Sequence, residues 1–124
     1  MINPETRLVL VRGLPGSGKS TFAKSLDGFI HFEADMWQID SDGNYQFGIT
    51  PIKIAHQNCQ NATRLCLEAG YNVVVSNTFT RRWEMTPYYD MGYPAQEIVM
   101  TGDYGNIHDV PDSVIAEMRM RWEF

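Results

Sequence analysis

Apolar residues in this chain fall into short unbroken runs, separated by stretches in which they return every three or four positions. The two patterns predict strands and helices in turn. Leu8, Val9, Leu10 and Val11 make the first run, so residues 7–12 predict a buried strand, followed by a loop and a helix to about Leu26. Residues 29–33 predict a second strand that ends at Ala34 and Asp35. The polar, glycine-bearing stretch 40–48 predicts a mobile loop. Thr50 then caps a helix with Pro51 in its first turn. Ile54, Ala55, Cys59, Ala62, Leu65, Cys66 and Ala69 keep helical spacing up to Gly70, which stops it. Val73, Val74 and Val75 read as a strand buried on both faces. Residues 82–91 look helical, although Pro87 should break or kink that helix. Ile98, Val99 and Met100 predict a fourth strand. A last helix begins near Pro111 and carries Val114, Ile115, Met118 and Trp122 on one side. Trp83 and Trp122 both lie in helical apolar patterns and are expected in the core.

Strands alternating with helices imply an α/β fold, a parallel sheet of about four to five strands covered on both faces. The length of 124 residues leaves room for one domain, expected over 1–124, with no repeat, linker or low-complexity tract. A hydrophobic fraction of 44% excludes the disordered class. No apolar run approaches the roughly 18 residues of a membrane span, and the N-terminus lacks a signal-peptide pattern, so a cytoplasmic protein with no membrane partner is expected. Cys59 and Cys66 stand about 10 Å apart along one helix, too far for a disulfide, and read as small core residues in a reducing compartment. His31, His56 and His108 show no ligand spacing with either cysteine, which argues against a structural metal site. The net charge of −5, with basic residues scattered apart from Arg81 and Arg82, argues against a broad nucleic-acid footprint. Contact with a short strand end stays open.

The chemistry begins at residues 13–20, Gly-Leu-Pro-Gly-Ser-Gly-Lys-Ser, a phosphate-binding loop between the first strand and a helix. Its glycines let successive N–H groups turn inward as an anion cradle, and the following helix adds unpaired donors. Lys19 would meet the outer phosphates and the Ser20 hydroxyl a magnesium ion, so the expected fold is a P-loop NTPase and the ligand a magnesium-bound ATP or GTP.

In open parallel sheets, ligands sit beyond the carboxyl ends of the strands. That rule adds Asp35, then Ser76, Asn77 and Thr78, then Thr101, Gly102 and Asp103 as candidates. Asp35 suits a general base that takes a proton from an attacking hydroxyl; the alternatives are a helix cap or a group behind the magnesium ion. Trp37 and Tyr45 suit either stacking on an acceptor base or sugar, or packing beneath the loop. Arg81 and Arg121 are candidates to neutralise charge on the transferring phosphoryl group, against the plainer reading of solvated arginines. Trp37, Asn77 and Thr78 are the candidates on the acceptor side.

Arg12-Gly13-Leu14-Pro15-Gly16-Ser17-Gly18-Lys19-Ser20-Thr21, with Glu33-Ala34-Asp35, Ser76-Asn77-Thr78 and Arg121-Trp122-Glu123, resembles a branch of P-loop kinases. That branch includes the kinase domain of phage polynucleotide kinase and related AAA-type proteins. Trp83-Glu84-Met85-Thr86-Pro87-Tyr88 and Asn106-Ile107-His108-Asp109-Val110-Pro111 extend the similarity over nearly the whole chain. The resemblance implies transfer of the γ-phosphate of ATP, with Mg2+, to a nucleic-acid 5′-hydroxyl or a related small acceptor. It implies Asp35 as the base, Gly13, Leu14, Pro15, Gly16, Ser17, Gly18, Lys19, Ser20 and Thr21 as ATP contacts, and Ser20 and Asp35 beside the metal. The chain departs from the family in three places. Met36, Trp37 and Gln38 replace an acidic residue, an aromatic and an acceptor-binding arginine. The third strand ends on Ser76-Asn77-Thr78-Phe79, where an aspartate is usual. Gly105 replaces a lid arginine and Asp109 a glycine. These departures leave two other functions open, a small-metabolite or nucleotide kinase and a nucleotide-binding switch with little catalysis.

Overall fold

The computed structural model describes residues 2–104 and 110–124; the lid positions Gly105 and Asp109, and His108, lie outside the described residues. Its elements follow the expected order. They are β1 (Leu8–Arg12), α1 (Lys19–Lys24), β2 (Phe29–Phe32), a 3-10 turn (Ala34–Trp37), α2 (Ile52–Glu68) and β3 (Asn72–Asn77). A second 3-10 turn (Arg82–Glu84), α3 (Thr86–Tyr89), β4 (Ala95–Val99) and α4 (Asp112–Met120) complete them.

Four parallel strands lie in the order β2-β3-β1-β4, with Leu8 level with Val73 on one side and Ala95 on the other. The inner strands β1 and β3 are sealed from water from Leu8 to Val11 and from Val73 to Val75. Successive side chains on a strand face opposite ways, which splits the core in two. Leu8, Leu10, Val73 and Val75 pack with Cys59 and Leu67 of α2 and with Phe79, Met85 and Tyr88. Val9, Val11 and Val74 pack with Ala23 of α1, flanked by Phe22, Leu26 and Ile98. Each such side chain contributes about 1.5–3 kcal/mol by leaving water, so the crossing of β1 and β3 is the rigid floor of the molecule.

Several sequence expectations are corrected. Helix α2 buries Ala55, Cys59, Thr63 and Leu67, whereas Ile54 and Leu65 face outward, Leu65 being 66% exposed. Thr63 takes an inward place because its hydroxyl donates to the Cys59 carbonyl (2.8 Å). Thr50 is not the cap, since α2 starts at Ile52 behind Pro51; instead Gln38 holds Thr50 through both its N–H (3.1 Å) and its carbonyl (3.0 Å). Within the stretch 40–48 the Asp40 carboxylate accepts from Asp42 N, Asn44 N and Gln46 Nε2. The helix expected over 82–91 divides at Met85, and Pro87 sits in the first turn of α3, where its missing N–H costs nothing. Met85 fills the core, which leaves Trp83 69% exposed, contrary to its core assignment. Trp122 is half-buried, with the Arg12 guanidinium 4.4 Å from its ring centre.

Candidate functional site

Strand β1 delivers the chain at Arg12 into the loop Gly13–Gly18, where space excludes a side chain at Gly13 and backbone angle disfavours one at Gly16 and Gly18. A Cβ on Gly13 would lie 2.1 Å from Ser17 Oγ, and Gly16 and Gly18 have φ of 81° and 91°. Side chains are strained at such φ. Ser17 N donates to the Leu14 carbonyl (3.0 Å) and closes the curl. The Ser17 hydroxyl is buried and has no partner among the described residues. From outside, Tyr104 N donates to the Gly16 carbonyl (2.7 Å), and the Tyr104 ring lies so close that a Cβ on Gly102 would come within 2.2 Å of it. Nothing in the sequence marked Tyr104 for this place.

Behind the loop, Ser20 Oγ donates to Glu33 Oε2 at 2.6 Å. Ser76, at the end of β3, donates to the same oxygen at 3.0 Å. Ser76 has one hydroxyl hydrogen, so its 2.6 Å contact with His31 Nε2 requires the ring nitrogen to donate. Burial would raise the Glu33 pKa, but the adjacent His31 ring and the hydrogen bonds from Ser20 and Ser76 prevail and hold it near 2. Sequence reasoning placed Glu33 in a motif and gave it no role. The signal was a carboxylate two residues ahead of Asp35, at the carboxyl end of β2.

Asp35 lies in the 3-10 turn that follows. The turn is fixed from below, where Asn77 Oδ1 accepts from Ala34 N (2.8 Å). Asn77 Nδ2 also faces Cys59 Sγ at 3.9 Å, so this buried side chain supports the Asp35 turn. Lys19 faces the fields of both Glu33 and Asp35; burial lowers its pKa against their pull. Tyr45 hydrogen-bonds the Asp35 carboxylate and has its pKa pushed up to about 12 by burial and by that negative partner. Half-buried His56 has a lowered pKa, again from burial, with Glu84 and Asp35 opposing the shift. Trp37 packs beside Phe32 (ring centres 6.4 Å apart) against the core, which is the packing alternative. Thr78 is half-buried just beyond β3. Ser20 is thus bonded to Glu33 and Tyr45 to Asp35, and the charge of both carboxylates acts on Lys19.

The arginines form a second group. Arg81 pairs with Glu123 (3.5 Å), and Arg121 Nε donates to Thr80 Oγ1 (3.1 Å). Sequence reasoning gave Arg12 no role of its own. It is buried at the end of β1 and donates to the Phe79 carbonyl from Nε (3.0 Å) and Nη2 (2.8 Å), and also to the Glu123 carbonyl. Phe79 is the one described non-glycine residue with positive φ, 46°, a strained geometry fixed by its buried ring and its bonded carbonyl. Between the loop and α4 lies a cleft of about 670 Å³, lined by Leu14, Pro15, Met100, Asp103, Arg119 and Trp122 among others.

Magnesium fits the donor set. Ser20 and Glu33 offer hard oxygens side by side. That combination matches a cation that keeps its waters and shares substrate phosphates. No helix among the described residues is long and apolar enough to cross a membrane.

Comparisons with known proteins agree with this fold. The profile of a family described as "AAA domain" matches residues 8–99. NEDD4-binding protein 2 of Homo sapiens is 39% identical over 87 residues, which is 65% of this chain and 5% of that protein. The chain thus spans a small fraction of the curated relative it matches. A chain of the Pnkp1/Rnl/Hen1 RNA repair complex superposes with a TM-score of 0.69 at 18% identity, covering 97% of this chain and 45% of that one. A gluconokinase from Sinorhizobium meliloti 1021 superposes with a TM-score of 0.67 at 17% identity, covering 98% and 78%. These likenesses establish the fold.

Proposed function

The chain belongs to the AAA domain family, and we propose that it is an ATP-dependent phosphotransferase acting on a hydroxyl acceptor, a polynucleotide 5′-hydroxyl end or a nucleoside-like molecule. The observation that supports the reading is a complete phosphate loop whose Ser20 hydroxyl is bonded to Glu33, with Asp35 in the turn that directly follows. In this reading the loop amides and Lys19 hold the β- and γ-phosphates, and the cleft toward Arg119 and Trp122 has room for the nucleoside. Magnesium, held by Ser20 and the phosphates, would neutralise charge as it builds. Asp35 accepts the acceptor's hydroxyl proton, the freed oxygen bonds to the γ-phosphorus, and the bond to the β-phosphate oxygen breaks to release ADP. Tyr45 fixes the Asp35 carboxylate in direction.

A small-metabolite acceptor is the second reading. It is favoured by Gln38, which stands at the acceptor-arginine position with its side chain consumed by Gly48 and Thr50, and by the net charge of −5. Transfer of labelled γ-phosphate to 5′-hydroxyl DNA, 5′-hydroxyl RNA, nucleosides, sugars and water separates these readings. Label on water alone would reduce the protein to a hydrolase or a switch. Asp35→Asn should lower turnover by about 100-fold or more with ATP affinity within a few-fold, because a base acts only in the transition state. Lys19→Ala should weaken binding and transfer together. Unchanged transfer in Asp35→Asn removes that carboxylate from the mechanism.

A further inference from the structure

A serine that lends an oxygen lone pair to a metal must send its hydroxyl hydrogen elsewhere, and P-loop NTPases pair that serine with an acidic residue at a strand end. The strand beside the loop, β3, ends on Ser76 and Asn77 and offers no carboxylate. The nearest acid comes from the next strand outward. Glu33 follows β2, takes the Ser20 hydrogen at 2.6 Å, and crosses to Ser76 at 3.0 Å. We infer that Glu33 is the metal-side acid of this chain, moved from the end of β3 to the end of β2, and that Ser76 accommodates the move by donating to it.

The contacts argue for a positioning role beyond a fold support. Hydrogen bonds from Ser20 and Ser76 and the 3.5 Å approach of His31 all fall on Oε2, and among the described residues Oε1 takes no partner. One oxygen is thus bound to the protein and the other is left for the water shell of a cation. Ser20, with its hydrogen committed to Glu33, presents its lone pairs outward. His31 completes the set by donating to Ser76, which commits the Ser76 hydrogen to the carboxylate. The group acts through Ser20 and the metal's waters, so it tunes metal affinity while the nest of amides handles the phosphates.

The inference rests on the nucleotide-binding part of the reading above, and the test keeps the two apart. Binding of a non-hydrolysable ATP analogue is measured by calorimetry with Mg2+ and in chelator, and Mn2+ binding is followed by electron paramagnetic resonance. Absence of analogue binding by the wild-type protein would refute the phosphate-loop reading itself. If wild type binds and gains affinity from metal, Glu33→Gln should cut that gain by 10- to 100-fold, the usual effect of removing a partner behind a metal ligand. Metal-free affinity should hold or rise, because the variant removes a negative charge that acts on Lys19. Glu33→Asp, one methylene shorter, should fall between. The exchange Glu33→Ser with Ser76→Asp should restore most of the gain that Glu33→Ser alone loses. A full metal gain in Glu33→Gln overturns the assignment. So does an equal loss with and without metal, which marks a fold support, and so does a folded exchange variant that recovers nothing.

Discussion

At the residue scale, Glu33 shows how a buried charge is kept. Three neighbours direct hydrogens or positive charge at one oxygen, and together they outweigh the burial that would otherwise raise its pKa. Its side chain is only 16% exposed, so water screens the effect little. The folded pKa near 2 lies below the ordinary 4.5, hence the unfolded chain binds the proton more tightly. The sign follows: the carboxylate stabilises the fold fully above about pH 4.5 and loses that contribution as pH falls toward 2. The size is about 3 kcal/mol from the separation of the two values. Denaturant titrations in chelator from pH 7 down to 2.5 should show the wild-type advantage over Glu33→Gln shrinking across that window. A difference that stays flat with pH would mean the group is not held as an anion.

At the scale of elements, the strands and the order of the chain were legible because unbroken β-branched runs have few other uses. The loop of glycines was legible because its spacing is a chemical requirement. Side-chain polarity misled the reading in two places. In α2 an apolar count favoured Ile54 and Leu65, whereas Thr63 entered the buried row by satisfying its hydroxyl on the helix's own backbone. In the segment after β3, the break at Met85 turned Trp83 outward, and no local propensity registers that break's phase. Arg12 was missed for a related reason: an arginine closing an apolar strand reads as its solvated end. In the fold it ties β1, the Phe79 turn and the tail at Trp122 and Glu123 together. Arg12→Met leaves the Phe79 and Glu123 carbonyls without their donor and should cost about 2–4 kcal/mol in urea unfolding. Trp122→Ala should cost less. The double variant should show coupling of at least about 0.5 kcal/mol, since cation and ring share one contact. Additive losses would show that the tail is held by other bonds.

At the scale of the whole molecule, charge limits how large an acceptor the proposed function allows. The chain has 10 Lys and Arg against 15 Asp and Glu. Arg7 is spent on the Leu67 and Tyr71 carbonyls, Arg12 on Phe79, Arg81 on Glu123, Arg82 on Glu97 and Arg121 on Thr80. Lys19 belongs to the phosphate loop in the proposed reading. The cations left to meet an acceptor strand are few, and one of them, Arg119, lines the cleft that the proposed reading gives to the nucleoside. One or two phosphate contacts at about 0.7 each give a slope near −1 in log affinity against log salt for a single strand. Affinity for a 5′-hydroxyl oligonucleotide should therefore fall by less than about tenfold between 50 and 200 mM salt, and should stop rising beyond two or three nucleotides of length. A slope steeper than about −3 would require arginines now bound to their own chain to let go and face the strand. Such a result would make the arginine group around Glu123 part of the proposed acceptor site, and the tail that holds it a moving part of the protein.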